Sequence, residues 1–335
     1  MTVADVVQAL NVITGGRVPT QAEDLFNGKN RFVVTKSSNL PGKAIVETPG
    51  LVCGDLQQPV RKLAVGMTLT ESAIELAGGL GVDAILTHHP IADAASSGGV
   101  PLRGYLRLYN LAVLELHEAF HGLHPGIAFL HGHKPFKVDI AYGGVPGNIM
   151  FVGTVLEGIR TAGDILDRLH DFIDMALEER LLELERKERN CYELMETTVA
   201  MPPQLLCGSR HNQVNTILHI FPHTGFSVEH LQQAVQETPE IDTLIASISR
   251  VRLDSPLVAK AKELQLTFIA GNSHALEIFE NGLPLAYALK ALLPQVEVLV
   301  FRERMFASPV DKIGGDSIQH YAHQIAEGLL HSPAR

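Results

Sequence analysis

Between Val60 and Pro90 the sequence allows few folds. Val60–Val65 is an apolar run of strand length, and Thr68-Leu69-Thr70-Glu71 has the spacing of a helix capping box. The helix this box opens carries Ala73, Ile74, Ala77 and Leu80 and ends in Gly78-Gly79-Leu80-Gly81. A second apolar run, Val82–Leu86, follows at once and stops at Thr87-His88-His89-Pro90. Strand, helix and strand over about thirty residues form a βαβ unit, which requires a parallel sheet. Ligands of such sheets gather at the carboxyl ends of the strands, where this strand places two imidazoles. Pro90 holds His89 extended and stops the strand. Neutral imidazoles presented together there point to metal ligation, whereas a hydrogen-bonded loop pair is the plain alternative.

The same punctuation recurs. Leu111–Leu116 reads as a strand and runs into His117-Glu118-Ala119-Phe120-His121; Leu266–Ala270 reads as another, followed by Gly271-Asn272-Ser273-His274-Ala275-Leu276-Glu277. His274 and Glu277 stand three apart at a helix start and so share a face. A carboxylate among imidazoles suits a borderline or hard divalent ion such as zinc, manganese or iron. Singly, each residue has a bland reading as a loop or helix-end group. Together they mark three strand ends with one chemistry. His124, His131 and His133 have metal-binding chemistry, but their Gly- and Pro-containing stretch reads as a solvated loop, and His219 and His223 read as structural.

Elsewhere, residues 3–11 read as an amphipathic helix and 15–54 as irregular or short-stranded. Strands are expected at 150–156, 216–221, 244–248 and 296–301. Thr161 and Asp164 cap a charged helix that runs on to Arg189, Ser227 and Ser255-Pro256 start two more, and the tail 317–330 reads as helical. The βα alternation falls in two blocks, before about residue 135 and after about 150, which implies two similar lobes.

Composition bounds the function. The 335 residues are 46% hydrophobic with a formal net charge of −10, which argues against a broad basic nucleic-acid surface but leaves room for a small basic site for a phosphorylated ligand. Cys53, Cys191 and Cys207 are widely spaced, which is neither a disulfide framework nor a thiolate zinc site. The N-terminal residues do not read as a signal peptide, no apolar run approaches membrane-spanning length, and a soluble cytoplasmic protein is expected. No nucleotide-binding glycine fingerprint or nucleophile elbow is present.

Four stretches resemble the NIF-three-like dinuclear-metal family, often labelled GTP cyclohydrolase I type 2: Pro49–Asp55, Thr87-His88-His89-Pro90, Asn110–His121 with Pro125-Gly126, and Gly271–Glu277 with Asn281-Gly282. Residues 147–165 resemble the strand and helix after the family's first lobe. The resemblance implies two intertwined three-layer α/β/α lobes, drawn here as 1–135 with 280–335 and as 136–279, with a metal site in the cleft between them. It further implies a ring-shaped homohexamer. His88, His89, His274 and Glu277 are then metal ligands for one or two divalent ions. Three positions depart from the family: His121 stands where it has a metal-binding aspartate, Glu277 follows His274 by three residues rather than four, and Gly66 replaces a common acidic residue.

The function expected is a metal-dependent hydrolase acting on a small nucleotide-like or phosphorylated substrate. His88, His89, His121, His274 and Glu277 are its ligands, and His117 and Glu118 are its proton-handling groups. The rival reading is a non-catalytic metal-binding or regulatory scaffold.

Overall fold

The computed structural model describes all residues except 26, 38–43, 92–99, 118, 121–125, 146, 249–250 and 331–335. Its strands are β1 Val34–Ser37, β2 Ala44–Glu47, β3 Gly50–Cys53, β4 Lys62–Gly66, β5 Ala84–Thr87, β6 Ala112–Glu115, β7 His133–Asp139, β8 Met150–Val155, β9 Met195–Glu196, β10 Gln204–Cys207, β11 Thr216–Ile220, β12 Thr243–Ile248, β13 Thr267–Ser273, β14 Glu297–Val300 and β15 Phe306–Ala307. Two sheets organise the molecule. The first has the order β14-β4-β5-β6-β3 and the second β10-β13-β12-β11-β8-β7, and two-stranded ribbons β1-β2 and β15-β9 lie apart.

In the first sheet β14, β4, β5 and β6 are parallel and β3 closes the edge antiparallel. Alternation along the strands divides its side chains between two cores. Leu63, Val65, Leu86 and Leu114 pack with Val6, Leu10, Leu285 and Leu289 from helices Val3–Ile13 and Leu283–Leu292. Ala64, Ile85 and Val113 pack on the other face with Ile74, Ala77, Leu102 and Leu106 from helices Glu71–Leu80 and Val100–Leu108. Period-two burial on both faces gives three layers, helix on sheet on helix.

The second sheet repeats the plan. Parallel β11, β12 and β13 form its centre, with β10 antiparallel on one side and β8 and β7 on the other. Leu218, Leu244 and Phe268 face helices Val228–Glu237 and Pro256–Glu263, while Ile217, Ile245 and Ile269 face helix Ala162–Phe172. The α/β architecture inferred from the βα alternation is therefore present twice.

Local differences have local causes. The cap of helix Glu71–Leu80 is Thr70, whose hydroxyl accepts the Ala73 N–H, rather than Thr68. The expected single helix from 161 to 189 breaks at Asp174, which takes a left-handed backbone (φ 51°) and caps a new helix, Met175–Glu188, by accepting the Leu177 N–H. The sequence reading missed β7. Its in–out burial from His133 to Asp139 is that of an edge strand, the one place in a sheet that tolerates Pro135. No described helix is long and apolar enough to cross a membrane.

Candidate metal centre

The carboxyl ends of the parallel strands in both sheets converge, and histidines from each meet there. The first pair is fixed by the backbone. His88 N–H donates to Gly66 O (3.1 Å) and His89 N–H to Met67 O (2.8 Å), so the β4–β5 ladder continues through both residues before Pro90 ends it. The His88 ring is fixed as well. Its Nδ1 lies 3.0 Å from Leu116 O, an acceptor, so Nδ1 carries the proton and the lone pair is left on Nε2. That Nε2 lies 3.5 Å from Glu277 Oε1.

His117, just past β6, completes the first side. Its Nδ1 lies 3.2 Å from Oε1 of Glu47, a carboxylate 2% exposed at the end of β2. Ring centroids stand 5.0 Å apart for His88 and His117 and 5.4 Å for His88 and His89. From the second sheet, β13 runs directly into His274, whose Nδ1 lies 3.0 Å from Glu277 Oε2; His89 Nε2 lies 3.1 Å from the same oxygen. Residues His274–Leu276 form a 3₁₀ turn. At three residues per turn, positions i and i+3 eclipse, which brings His274 and Glu277 to one side at a spacing of three.

Two groups of ligand atoms result, His88, His89 and His117, and His89, His274 and Glu277, each with its atoms within 4.8 Å of one another. His89 belongs to both. Glu277 is 2% exposed whereas the His274 side chain is 52% exposed, so the cluster has a buried floor and an open mouth. Burial alone would raise the Glu277 carboxyl, but hydrogen bonds from His274 and His89 and the nearby charges of His89 and His88 outweigh it. They hold it well below the usual carboxylate range. The carboxylate is thus anionic and ready to ligate. His223, at the end of β11, stands with its ring 5.6 Å from His274, and burial lowers its pKa, with a further lowering from His274.

Of the site residues expected from sequence, His88, His89, His274 and Glu277 come together. His117, expected to handle protons, lies among the candidate ligand atoms. His121, Glu118 and His124 lie outside the described residues. Sequence reasoning missed Glu47 and Asn281, whose amide nitrogen lies 3.0 Å from Glu277 Oε1 and 3.4 Å from His88 Nε2. Asn281 is one turn beyond Glu277, which is the signal that could have found it; Glu47, 70 residues from its histidine, leaves none.

His131 and His133 are a correction. Neither is solvated; both are 0% exposed in a separate cluster with His219. His133 Nε2 meets His219 Nδ1 at 3.0 Å, His219 Nε2 meets Ser247 Oγ at 2.6 Å, and His131 Nε2 accepts the Asn272 N–H at 3.1 Å. The structural role expected of His219 fits this network.

Fold and cluster together define a two-sheet α/β protein with a histidine–carboxylate site at facing strand ends. Residues 33–95, which include His88 and His89, match the family described as Duf34/NIF3 (NGG1p interacting factor 3). No curated protein matches. Reduced HcgD from Methanocaldococcus jannaschii has a similar fold (TM-score 0.56, 14% identity) over 90% of this chain and 97% of its own. So do protein ybgI (0.52, 14%; 90% and 98%) and a Bacillus cereus protein related to NIF3 (0.50, 11%; 92% and 98%). The protein is thus similar to the NIF3 family in sequence over residues 33–95, and in fold, over about nine tenths of the chain, to these solved structures.

Proposed function

We propose that the protein holds one or two divalent transition-metal ions (zinc, manganese or iron) through His88, His89, His117, His274 and Glu277, with His121 as a further ligand. In this reading it is a metal-dependent hydrolase of a small nucleotide-like or phosphorylated substrate, bound between lobes 1–135 with 280–335 and 136–279. The observation that carries the reading is the pair of ligand groups sharing His89. Four imidazoles with one buried carboxylate are a donor set for borderline divalent metals. A bound divalent ion would supply Lewis acidity and lower the pKa of a coordinated water toward neutrality.

The protein's own groups prepare the site. Leu116 O fixes the His88 tautomer, and Glu47 orients His117 from behind, as carboxylates do for ligating histidines. Asn281 holds Glu277 Oε1. The exposed edge at His274 is where substrate enters. The purified protein is expected to contain one to two transition-metal ions per chain, measured by elemental mass spectrometry. His88→Ala with His89→Ala should reduce that content several-fold, and undiminished metal would reject the reading.

One observation favours the scaffold alternative. The metal-binding aspartate expected from the family resemblance is replaced by His121, which takes a carboxylate out of the expected donor set. Assays over nucleotides and phosphoesters separate the two readings: metal-dependent turnover abolished by Glu277→Ala establishes the hydrolase, and its absence with every metal leaves the scaffold.

A further inference from the structure

The loop after the first helix closes a cleft of about 480 Å³, lined in part by Asn11, Arg17, Asp24, Lys29, Arg31 and Phe32. Among the described lining residues three cations stand with one carboxylate, in a chain of net charge −10. The guanidinium carbons of Arg17 and Arg31 each stand 4.8 Å from the centre of the Phe32 ring, so one aromatic side chain orients both. Asn30 ties the loop shut, donating to Arg17 O (2.9 Å) and accepting from Phe32 N–H (2.9 Å); Asn11 accepts the Val18 N–H (3.3 Å). The Asp24 carboxylate accepts from Asn27 at 2.9 Å, and neither Lys29 nor Arg31 forms an ion pair among the described residues. Like charges gathered this way repel each other, and a bound anion relieves the repulsion.

The cleft adjoins the histidine cluster. Arg17 Nη1 donates to Ala119 O (3.3 Å), two residues past His117. Phe120 N–H bonds to His117 O (2.8 Å), and the Phe120 ring stands 6.3 Å from that of His88. One short segment therefore links the cationic cleft to the ligand side chains.

We propose that this cleft binds the phosphoryl group of a phosphorylated small molecule, with Arg17, Lys29 and Arg31 as the charge-recognising residues. Guanidinium pairs suit phosphate oxygens because their planar donors match them two at a time. That the rest of the ligand is then presented to the histidine cluster rests on the metal reading above; the phosphate site itself does not.

The probe is inorganic phosphate, titrated by calorimetry into the full-length protein as purified. Lys29 and Arg31 are exposed, so Lys29→Gln with Arg31→Gln should keep the fold and metal content. That variant is expected to weaken phosphate binding at least about tenfold, and Lys29→Arg with Arg31→Lys to retain it. His88→Ala with His89→Ala is expected to lose metal and bind phosphate unchanged. Phosphate binding that survives the glutamine pair, or that disappears with the histidines instead, would overturn the proposal. So would a wild-type protein that binds no phosphate at ~10 mM, a level where even weak ionic sites fill. A wild-type protein that carries no metal as purified, yet binds phosphate and loses that binding with the glutamine pair, would reject only the metal reading.

Discussion

Gly271 is the residue on which the buried histidine network depends most directly. A Cβ there would lie 2.3 Å from His131 Nε2, the atom that accepts the Asn272 N–H. The methyl and the imidazole cannot share that space, and moving the ring breaks the hydrogen bond. Gly271→Ala is therefore expected to destabilise the fold by about 1–3 kcal/mol, read from the urea midpoint; an unchanged midpoint would refute the packing argument. Gly271 was visible in the sequence only as part of the stretch leading to His274. Its own constraint was not legible, because the histidine pressing on it lies 140 residues earlier on a helix end. His131 and His133 were misread for the same reason. Neighbouring glycine and proline marked a loop, while the partners that bury them, His219 and Ser247, come from other strands.

The decisive element is the turn after β13. A 3₁₀ turn passes into a π-helical turn, Ile278–Gly282, before helix Leu283–Leu292. This sends Glu277 to the candidate metal centre and Glu280 to the second cluster, where Asn272 donates to it at 2.8 Å. Burial first, and the Glu277 charge after it, push the Glu280 carboxyl well above its usual range. Because the folded pKa is raised, the folded state holds a proton that the unfolded chain releases above about pH 4.5, and stability falls as pH rises past that value. Glu280→Gln mimics the protonated acid and removes this dependence. Its melting temperature is expected to exceed wild type at pH 7–8 and to converge with it near pH 4; a deficit at both would show that the carboxylate is ionised. The sequence suggested a helix broken and restarted at Asn281-Gly282 and Pro284. It could not show which way each glutamate turns, since a π-turn shifts every later residue on the helix face. The βαβ unit and most helix starts were legible because their signals are local. The break at Asp174 was not, because Phe172-Ile173 before it and Met175-Ala176-Leu177 after it include no glycine or proline to mark a stop.

For the whole molecule, packing of the second sheet buries three histidines, His131, His133 and His219, each 0% exposed. Burial lowers His131 to about 4 and His133 to about 3, with His219 also well below its ordinary value. They fold neutral, while the unfolded chain takes up protons below about pH 6.5, so their contribution to stability is full above that pH and is lost as pH falls toward 4, opposite in sign to the smaller contribution of the single Glu280. Two shifts of this size together amount to several kcal/mol. The unfolding midpoint in urea should drop steeply between pH 6.5 and 4, and His133→Gln should flatten part of that slope. A flat wild-type profile would mean these imidazoles are not buried neutral. Strand-end histidines were readable as a site because parallel sheets put chemistry at carboxyl ends. That the ends of two different sheets would face each other was implied only by the family resemblance, because nothing local to either sheet encodes it.

The path of the chain between those sheets also governs when the protein can assemble. β14 joins the first sheet beside β4, and Glu303 just beyond it accepts the Thr68 N–H across 235 residues. The second sheet is made of chain that lies between these two partners, so it emerges from the ribosome and can fold while the first is still missing its edge. An early segment carrying His88 and His89 must then wait, incompletely covered, for the last part of the chain. Such long-range closure is slow. The waiting intermediate presents the open edge of β4 to its neighbours, and aggregation during refolding should track the delay in β14 docking rather than any weakness of the finished fold.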